Sequence, residues 1–302
     1  MTPVLFTYDN GNRLEDVMRM VVQMTPTETP FMSGIGKTRA YNTLHQWPEV
    51  TLTTRADNAI AENAAFGGAA SRVPNRIVNV TQMFEEVYGV SSTETWVKSA
   101  GIDDQVAFQK QTALLQIGTD VEHALLRGSR ASGASGTARR LAGVLNFVTT
   151  NATTVASGTK LTESFFGGLS ELAYGQGGRP DEVYVGYRLK RIIASFTAGS
   201  TKTVAQADKR LTNVTDVYED DLGIKKIFLS RDMLTGAVAN SLALLDSRKF
   251  KMAIGEEVHE LPESEVAQTT HGKIGVFRGE LTLEVLAERH SAVAFGLSDL
   301  FN

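Results

Sequence analysis

The chain has 302 residues, 42% of them hydrophobic and 21% charged, a balance that suits a globular protein and excludes a disordered or collagen-like one. It contains no cysteine, which excludes disulfides, thiolate nucleophiles and cysteine zinc sites together and fits folding in a reducing cytoplasm. A net charge of -4 and a pI near 5.8 argue against a protein whose main task is gripping nucleic acid, since phosphate contacts need clustered Lys and Arg.

The length suits one elaborate domain or two modest lobes. At the N-terminus, the turn signal Asp9-Asn10-Gly11 precedes Leu14, Val17, Met18, Val21 and Val22 at helical spacing, and Pro26 and Pro30 then break the helix. This segment reads as an arm with too few apolar positions for a core of its own. Residues 45–88 read as two strands joined by a long tip. Val50 and Leu52 alternate with Glu49, Thr51 and Thr53 in the first strand, and the second carries Ile77, Val78, Val80 and Phe84. The tip, 56–71, is rich in Ala, Asn and Gly with almost no bulky side chains, so it is expected to project and to be ordered by a neighbouring subunit.

The clearest helix spans 102–127, opening with Asp103 and Asp104 and closing with Arg127-Gly128, as the helix dipole and a glycine stop favour. It should run about 25 residues, or about 40 Å. Ile102, Val106, Ala113, Ile117, Val121 and Ala124 form one stripe, which is expected to be buried along the full length. Beyond it, helices are expected at 161–174 and 187–196, and short strands at 182–186, 214–218, 224–229 and 242–245. Strands at 274–277, 281–286 and 292–297 close the chain. The apolar stretch 185–196 is interrupted by Arg188, Lys190 and Arg191, so no membrane span is expected, and residues 1–8 lack the pattern of a signal peptide.

Several motifs invite misreading. Gly34-Ile35-Gly36-Lys37-Thr38 looks like the end of a phosphate-binding loop, but Phe31 stands where the pattern needs glycine and no apolar strand precedes it. His45, His123, His259, His271 and His290 show no metal-binding spacing. Glu219-Asp220-Asp221 before Gly223 reads as a solvated turn, without the spacing of a calcium loop. No GxSxG elbow is present. Asn79-Val80-Thr81 and Asn213-Val214-Thr215 match a glycosylation pattern that carries no meaning without secretion. Arg188, Lys190 and Arg191 read as the charged face of an amphipathic helix.

The run from Thr25-Pro26-Thr27-Glu28-Thr29-Pro30-Phe31 to Gly34-Ile35-Gly36-Lys37, followed by Asn42-Thr43-Leu44-His45-Gln46-Trp47, resembles the opening of phage major capsid proteins of the SU10-like family, which have the HK97-type fold. The similarity continues through Arg72-Val73, Asn75, Thr81-Gln82, Val90-Ser91, Ala100-Gly101, 122–128 and 138–143, with an echo at 282–285 and 290–296. It is dense over the first half and sparse over 151–272. The fold that the resemblance implies is α+β. It comprises an N-terminal arm (1–40), an extended E-loop hairpin (41–80), a peripheral domain with a long spine helix (81–144), an axial domain (145–258), and returning strands of both domains (259–302). Gln46 and Gly89 stand where the family suggests an acid and a less flexible residue. The arm begins almost at Met1, so a removable scaffolding segment is not expected. Relatives that crosslink their shells use an E-loop lysine, and no lysine occurs over 41–80, so that crosslink is expected to be absent.

These readings converge on a structural subunit that self-assembles into the hexamers and pentamers of an icosahedral head. No catalytic, cofactor or metal site is expected, and an enzyme or a nucleic-acid-binding module stands as the alternative. The expected partners are other copies of the chain, packaged double-stranded DNA in weak contact, and portal, scaffolding and decoration proteins, with no membrane.

Overall fold

The computed structural model describes residues 28–52, 55–65, 67, 71–97, 102, 104–196, 217–233, 240–262, 266 and 271–298. In chain order the first elements are α1 (Pro30–Gly34), β1 (Gly36–Arg39), β2 (Leu44–Glu49), β3 (Asn75–Val80), β4 (Gln82–Ser91), α2 (Ser92–Trp96), α3 (Gln105–Arg127) and α4 (Val144–Phe147). They are followed by β5 (Ala152–Lys160), α5 (Glu163–Gly175), β6 (Glu182–Val185), α6 (Tyr187–Phe196), β7 (Val217–Asp220) and β8 (Gly223–Leu229). The last are β9 (Leu242–Leu245), β10 (Phe250–Glu260), β11 (Gly272–Val285) and β12 (Ala292–Ser298). The strands form a six-stranded sheet in the order β5-β12-β9-β6-β8-β7, a four-stranded sheet in the order β1-β10-β11-β4, and the antiparallel pair β2-β3.

The six-stranded sheet follows from its composition. Its inner strands β6 (EVYV) and β9 (LALL) are buried on both faces, which demands a continuous apolar run in place of alternation. Phe166 and Leu169 of α5 and Leu189, Ile192 and Ile193 of α6 close its core against Val183, Val185, Leu242, Leu244, Ala292 and Ala294. Thr162 caps α5 by accepting the Phe165 N–H at 3.2 Å.

The chain divides into two compact units, with α3 shared between them at Ile117. In the smaller, which includes Glu85–Ile117 and Glu260–Phe277, the rings of Tyr88 and Phe277 lie 5.9 Å apart. There Glu260 accepts the Tyr88 hydroxyl and pairs with Lys110, whose hydrogen bond holds the carboxyl below its ordinary range. The larger unit holds the β2-β3 pair, the end of α3 and the six-stranded sheet.

The long helix starts at Gln105, because Asp104 Oδ1 accepts the N–H groups of Val106 and Ala107 at 2.9 and 3.1 Å and so fixes the N-cap there. At its end, a Cβ on Gly128 would lie 2.5 Å from the Ala124 carbonyl oxygen, and one on Gly143 would lie 2.6 Å from the same atom. Asn146 Nδ2 donates to the Arg127 and Gly128 carbonyls, satisfying the orphan acceptors of the last turn.

The structure corrects several expectations. The stripe of α3 is not buried along its length: Ile102 and Val106 are half-buried, and full burial begins at Ala113. Helical spacing identifies the apolar side of a helix, whereas burial needs something packed over it. The first strand of the hairpin is 44–49, with Val50 and Leu52 exposed beyond its end, and Phe84 belongs to the next strand. The two strands expected at 274–277 and 281–286 are one, β11, which continues through Gly279, where a Cβ would come 2.7 Å from Val258 Cγ2. Gly279 marks a close approach of neighbouring strands and not a break. Three strands went unread. β10 carries Glu256, Glu257, His259 and Glu260 over its half-exposed last part, β5 is dominated by Thr, Ala, Ser and Gly at a sheet edge, and β1 is four residues long. The expected helix at 14–22, Asp103, residues 66 and 68–70 of the tip and the start of the 214–218 strand lie outside the described residues.

Candidate assembly surfaces

The β2-β3 hairpin is rooted firmly and then left bare. At the root, Trp47 is buried, donates from Nε1 to the Val285 carbonyl at 2.9 Å and stacks on Phe147 with centroids 5.9 Å apart. His45 Nε2 lies 2.8 Å from Glu284 Oε2. Asn79 is 0% exposed and saturated. Its Nδ2 donates to Ala142 O at 3.1 Å and Leu283 O at 2.8 Å, and its Oδ1 accepts from Val80 N and Ala142 N, both at 2.9 Å. Thr81 and Arg139, the latter at 2.7 Å, both bond Glu280 Oε1 and hold the 129–143 loop to β11.

Beyond the root, every described residue from Val50 to Arg76 is exposed. Large apolar side chains are among them: Leu52 at 76%, Ile60 at 73% and Val73 at 85%. Uncovered apolar side chains of this size are uncommon on a free surface and more usual where a partner packs.

The second feature fixes the segment before β1. Pro30 starts α1, where its missing N–H costs nothing, and the remaining N–H groups of the first turn need acceptors. They find one 91 residues away: Glu122 of α3, 1% exposed, accepts Phe31 N on Oε1 at 2.9 Å and Met32 N on Oε2 at 2.7 Å. Burial pushes the Glu122 carboxyl up to about 7, with the nearby Asp232 charge adding to the rise, while the two backbone N–H groups pull the other way. Phe31 itself is buried edge-on against Tyr184 at 5.4 Å and Phe250 at 6.0 Å. Neither Glu122 nor Asn79 announced this role in the sequence, since each acts on backbone groups far along the chain.

Among the described residues, the motifs singled out in the sequence are not brought together. Gly34 ends a helix and Gly36 opens a strand, the reverse of the strand-to-helix order that cradles a phosphate. His123 Nδ1 lies 2.6 Å from Asp232, His259 Nδ1 meets the Glu257 carbonyl at 2.9 Å, and His290 is held below its ordinary range by burial and the Lys249 charge. Among the described residues no group of three or more His, Asp or Glu converges on a point that could hold a metal. In the acidic turn, Asp220 accepts from the buried Lys225 at 3.0 Å. Burial would raise the Asp220 carboxyl, but the Lys225 hydrogen bond and charge outweigh it and hold the group below its ordinary range. Leu189, Ile192 and Ile193 are buried while Arg188 and Arg191 are exposed, as expected of a charged helix face. A Cβ on Gly89 would make only ordinary contacts, 3.7 Å from Ile274 Cγ1, so a larger residue fits there.

An arm segment clamped by a long helix, a rooted but uncovered hairpin and a separate six-stranded sheet define a shell-protein fold of the HK97 type. The capsid of Myoviridae Phage XM1 superposes with a TM-score of 0.62 at 11% identity, covering 98% of this chain and 100% of that one. The capsid of a native GTA particle gives 0.65 at 10% identity, covering 97% of both chains. At those identities the likeness establishes the fold alone. The chain belongs to the SU10 major capsid protein family, whose model matches residues 4–298. It is also 27% identical over 128 residues to the major capsid protein of Escherichia phage Phieco32, a match that takes in 42% of this chain and 36% of that protein. The matched part thus spans little more than a third of the length of that relative.

Proposed function

We propose that the chain is the repeating subunit of an icosahedral phage head, assembling into hexamers and pentamers that close around double-stranded DNA. Family membership supports this reading, and the observation that carries it is the bare hairpin over 50–76, with Leu52, Ile60 and Val73 uncovered in the single chain. A neighbouring copy covers that surface in the shell.

In this reading 1–40 is the arm, 41–80 the E-loop, 81–144 the peripheral domain, 145–258 the axial domain and 259–302 the strands that return to both. The role is structural, without catalysis or cofactor. Contact with the packaged DNA is weak, in keeping with the net charge of -4. Portal, scaffolding and decoration proteins complete the particle, and the subunit is made in the host cytoplasm. Sedimentation of the purified protein tests the proposal: capsomers or shells support it, and a small oligomer that never grows with concentration refutes it.

A further inference from the structure

The chain is acidic overall, yet its basic residues are unevenly placed. Between Glu122 and Glu163 there is no acid at all, while Arg127, Arg130, Arg139, Arg140 and Lys160 fall in that stretch. Arg130 from the loop after α3 and Arg76 from β3 help to line a cleft of about 530 Å³, together with Val78, Ala142 and Phe147. Both arginines are exposed, and neither has an ion-pair partner among the described residues. Attraction to the C-terminal end of α3 fades within about a turn, so it favours a base at Arg127 and only weakly at Arg130. It leaves Arg76, on a strand, without a reason.

The complement is the acidic turn between β7 and β8. Strand β7 is the edge of the six-stranded sheet. Alternation turns Tyr218 and Lys225 inward and leaves Val217, Glu219 and Ile224 exposed, with Glu219 directly opposite Ile224 in the ladder. The turn is already set: Asp220 bonds Lys225 at 3.0 Å and the Asp221 N–H at 2.9 Å, so Asp221 is presented beyond it and exposed. Glu219 and Asp221 have no ion-pair partner among the described residues. One hairpin thus offers two free carboxylates and an exposed isoleucine. The cleft offers two guanidiniums without ion-pair partners among the described residues, beside the apolar Val78 and Phe147.

We propose that the cleft between Arg76 and Arg130 receives the β7-β8 hairpin of a second copy of the chain, with Glu219 and Asp221 facing the two arginines and Ile224 against the apolar part of the lining. The proposal rests on the shell reading and adds a specific contact to it. Cleft and hairpin lie at different places on the same surface, so the contact is heterologous and repeats head to tail, the geometry that closes rings. The apolar part of the lining favours a peptide over a phosphate group, which has no apolar atom to set against Val78 and Phe147. Because the hairpin is held by its internal Asp220–Lys225 pair, it needs little ordering on docking.

The test is a charge swap in the full chain. Arg76→Glu with Arg130→Glu, and separately Glu219→Lys with Asp221→Lys, should each lower the fraction of protein in capsomers about tenfold or more at fixed concentration. Combining all four changes in one chain should restore it. All four altered side chains are exposed, so circular dichroism and thermal unfolding should match the parent in every variant. The contact is refuted if the arginine variant forms capsomers as the parent does, or if the fourfold variant stays dissociated. Normal capsomers together with weakened, salt-sensitive retention of DNA would assign the cleft to phosphate and equally refute it. A parent that forms no capsomers would refute the shell reading itself, which separates the two failures.

Discussion

Replacing Asn79 by Ala should unfold the root of the hairpin. The side chain is 0% exposed and uses all four of its hydrogen-bonding positions, tying β3 to Ala142 and Leu283, 63 and 204 residues away. At about 1 kcal/mol net for each bond the loss is roughly 4 kcal/mol, and stranding buried carbonyls and N–H groups pushes it higher. Against the roughly 5 to 15 kcal/mol that holds a domain together, that is a large share. Urea unfolding of dissociated subunits measures it, as a fall in midpoint at unchanged slope. Asn42→Ala is the control, because Asn42 is exposed and among the described residues its side chain bonds only the neighbouring Thr43 hydroxyl, so it should cost under about 0.5 kcal/mol. A loss at Asn79 below about 1 kcal/mol would refute the reasoning, since it would mean that the four bonds are replaced or were never needed.

Four further outcomes are expected. Glu122 holds its proton up to about 7 when folded and releases it near 4.5 when unfolded, so its contribution favours the folded state at low pH and is lost as pH rises through 7. The Glu122→Gln variant should therefore show a stability difference between pH 5 and 8 that departs from the parent's by about 3 kcal/mol, and parallel pH curves would contradict this. Ile117→Ala, at a position 2% exposed, should cost about 2 to 5 kcal/mol and block assembly through misfolding, whereas Lys110→Ala breaks a half-exposed pair with Glu260 and should cost under about 1 kcal/mol; soluble yield and unfolding midpoint compare them. Amides over 56–71 should exchange quickly in a dissociated subunit and slowly in the particle, and equal protection in both would place the tip in the subunit core. Mature particles boiled in detergent should run as single chains on a gel, and a ladder of multimers would show a crosslink formed without an E-loop lysine.

The sequence was most legible where one residue's neighbours along the chain decide its fate. The long helix, the pair of apolar strands β6 and β9, the amphipathic α6 and the last strand β12 all lie where periodicity puts them, within a few residues. It was least legible where the partner is remote. Glu122 is one acid among many until α1 is laid against it, and Asn79 matched only an irrelevant modification pattern. Strand β10 escaped because Glu256, Glu257, His259 and Glu260 give it the composition of a loop, although the backbone ladder and not the side chains defines it. Strand β11 reads as two in the sequence, and its continuity through Gly279 shows only in the close approach of Val258. The cleft at Arg76 and Arg130 joins a strand to a loop more than fifty residues later, a juxtaposition that spacing does not reveal.

The most direct measurement is electron cryomicroscopy of the protein assembled from its purified subunits. Closed icosahedral shells built of hexamers and pentamers, with density from a neighbouring copy over Leu52, Ile60 and Val73, are the predicted result. Discrete small oligomers in which residues 50–76 remain uncovered would contradict it.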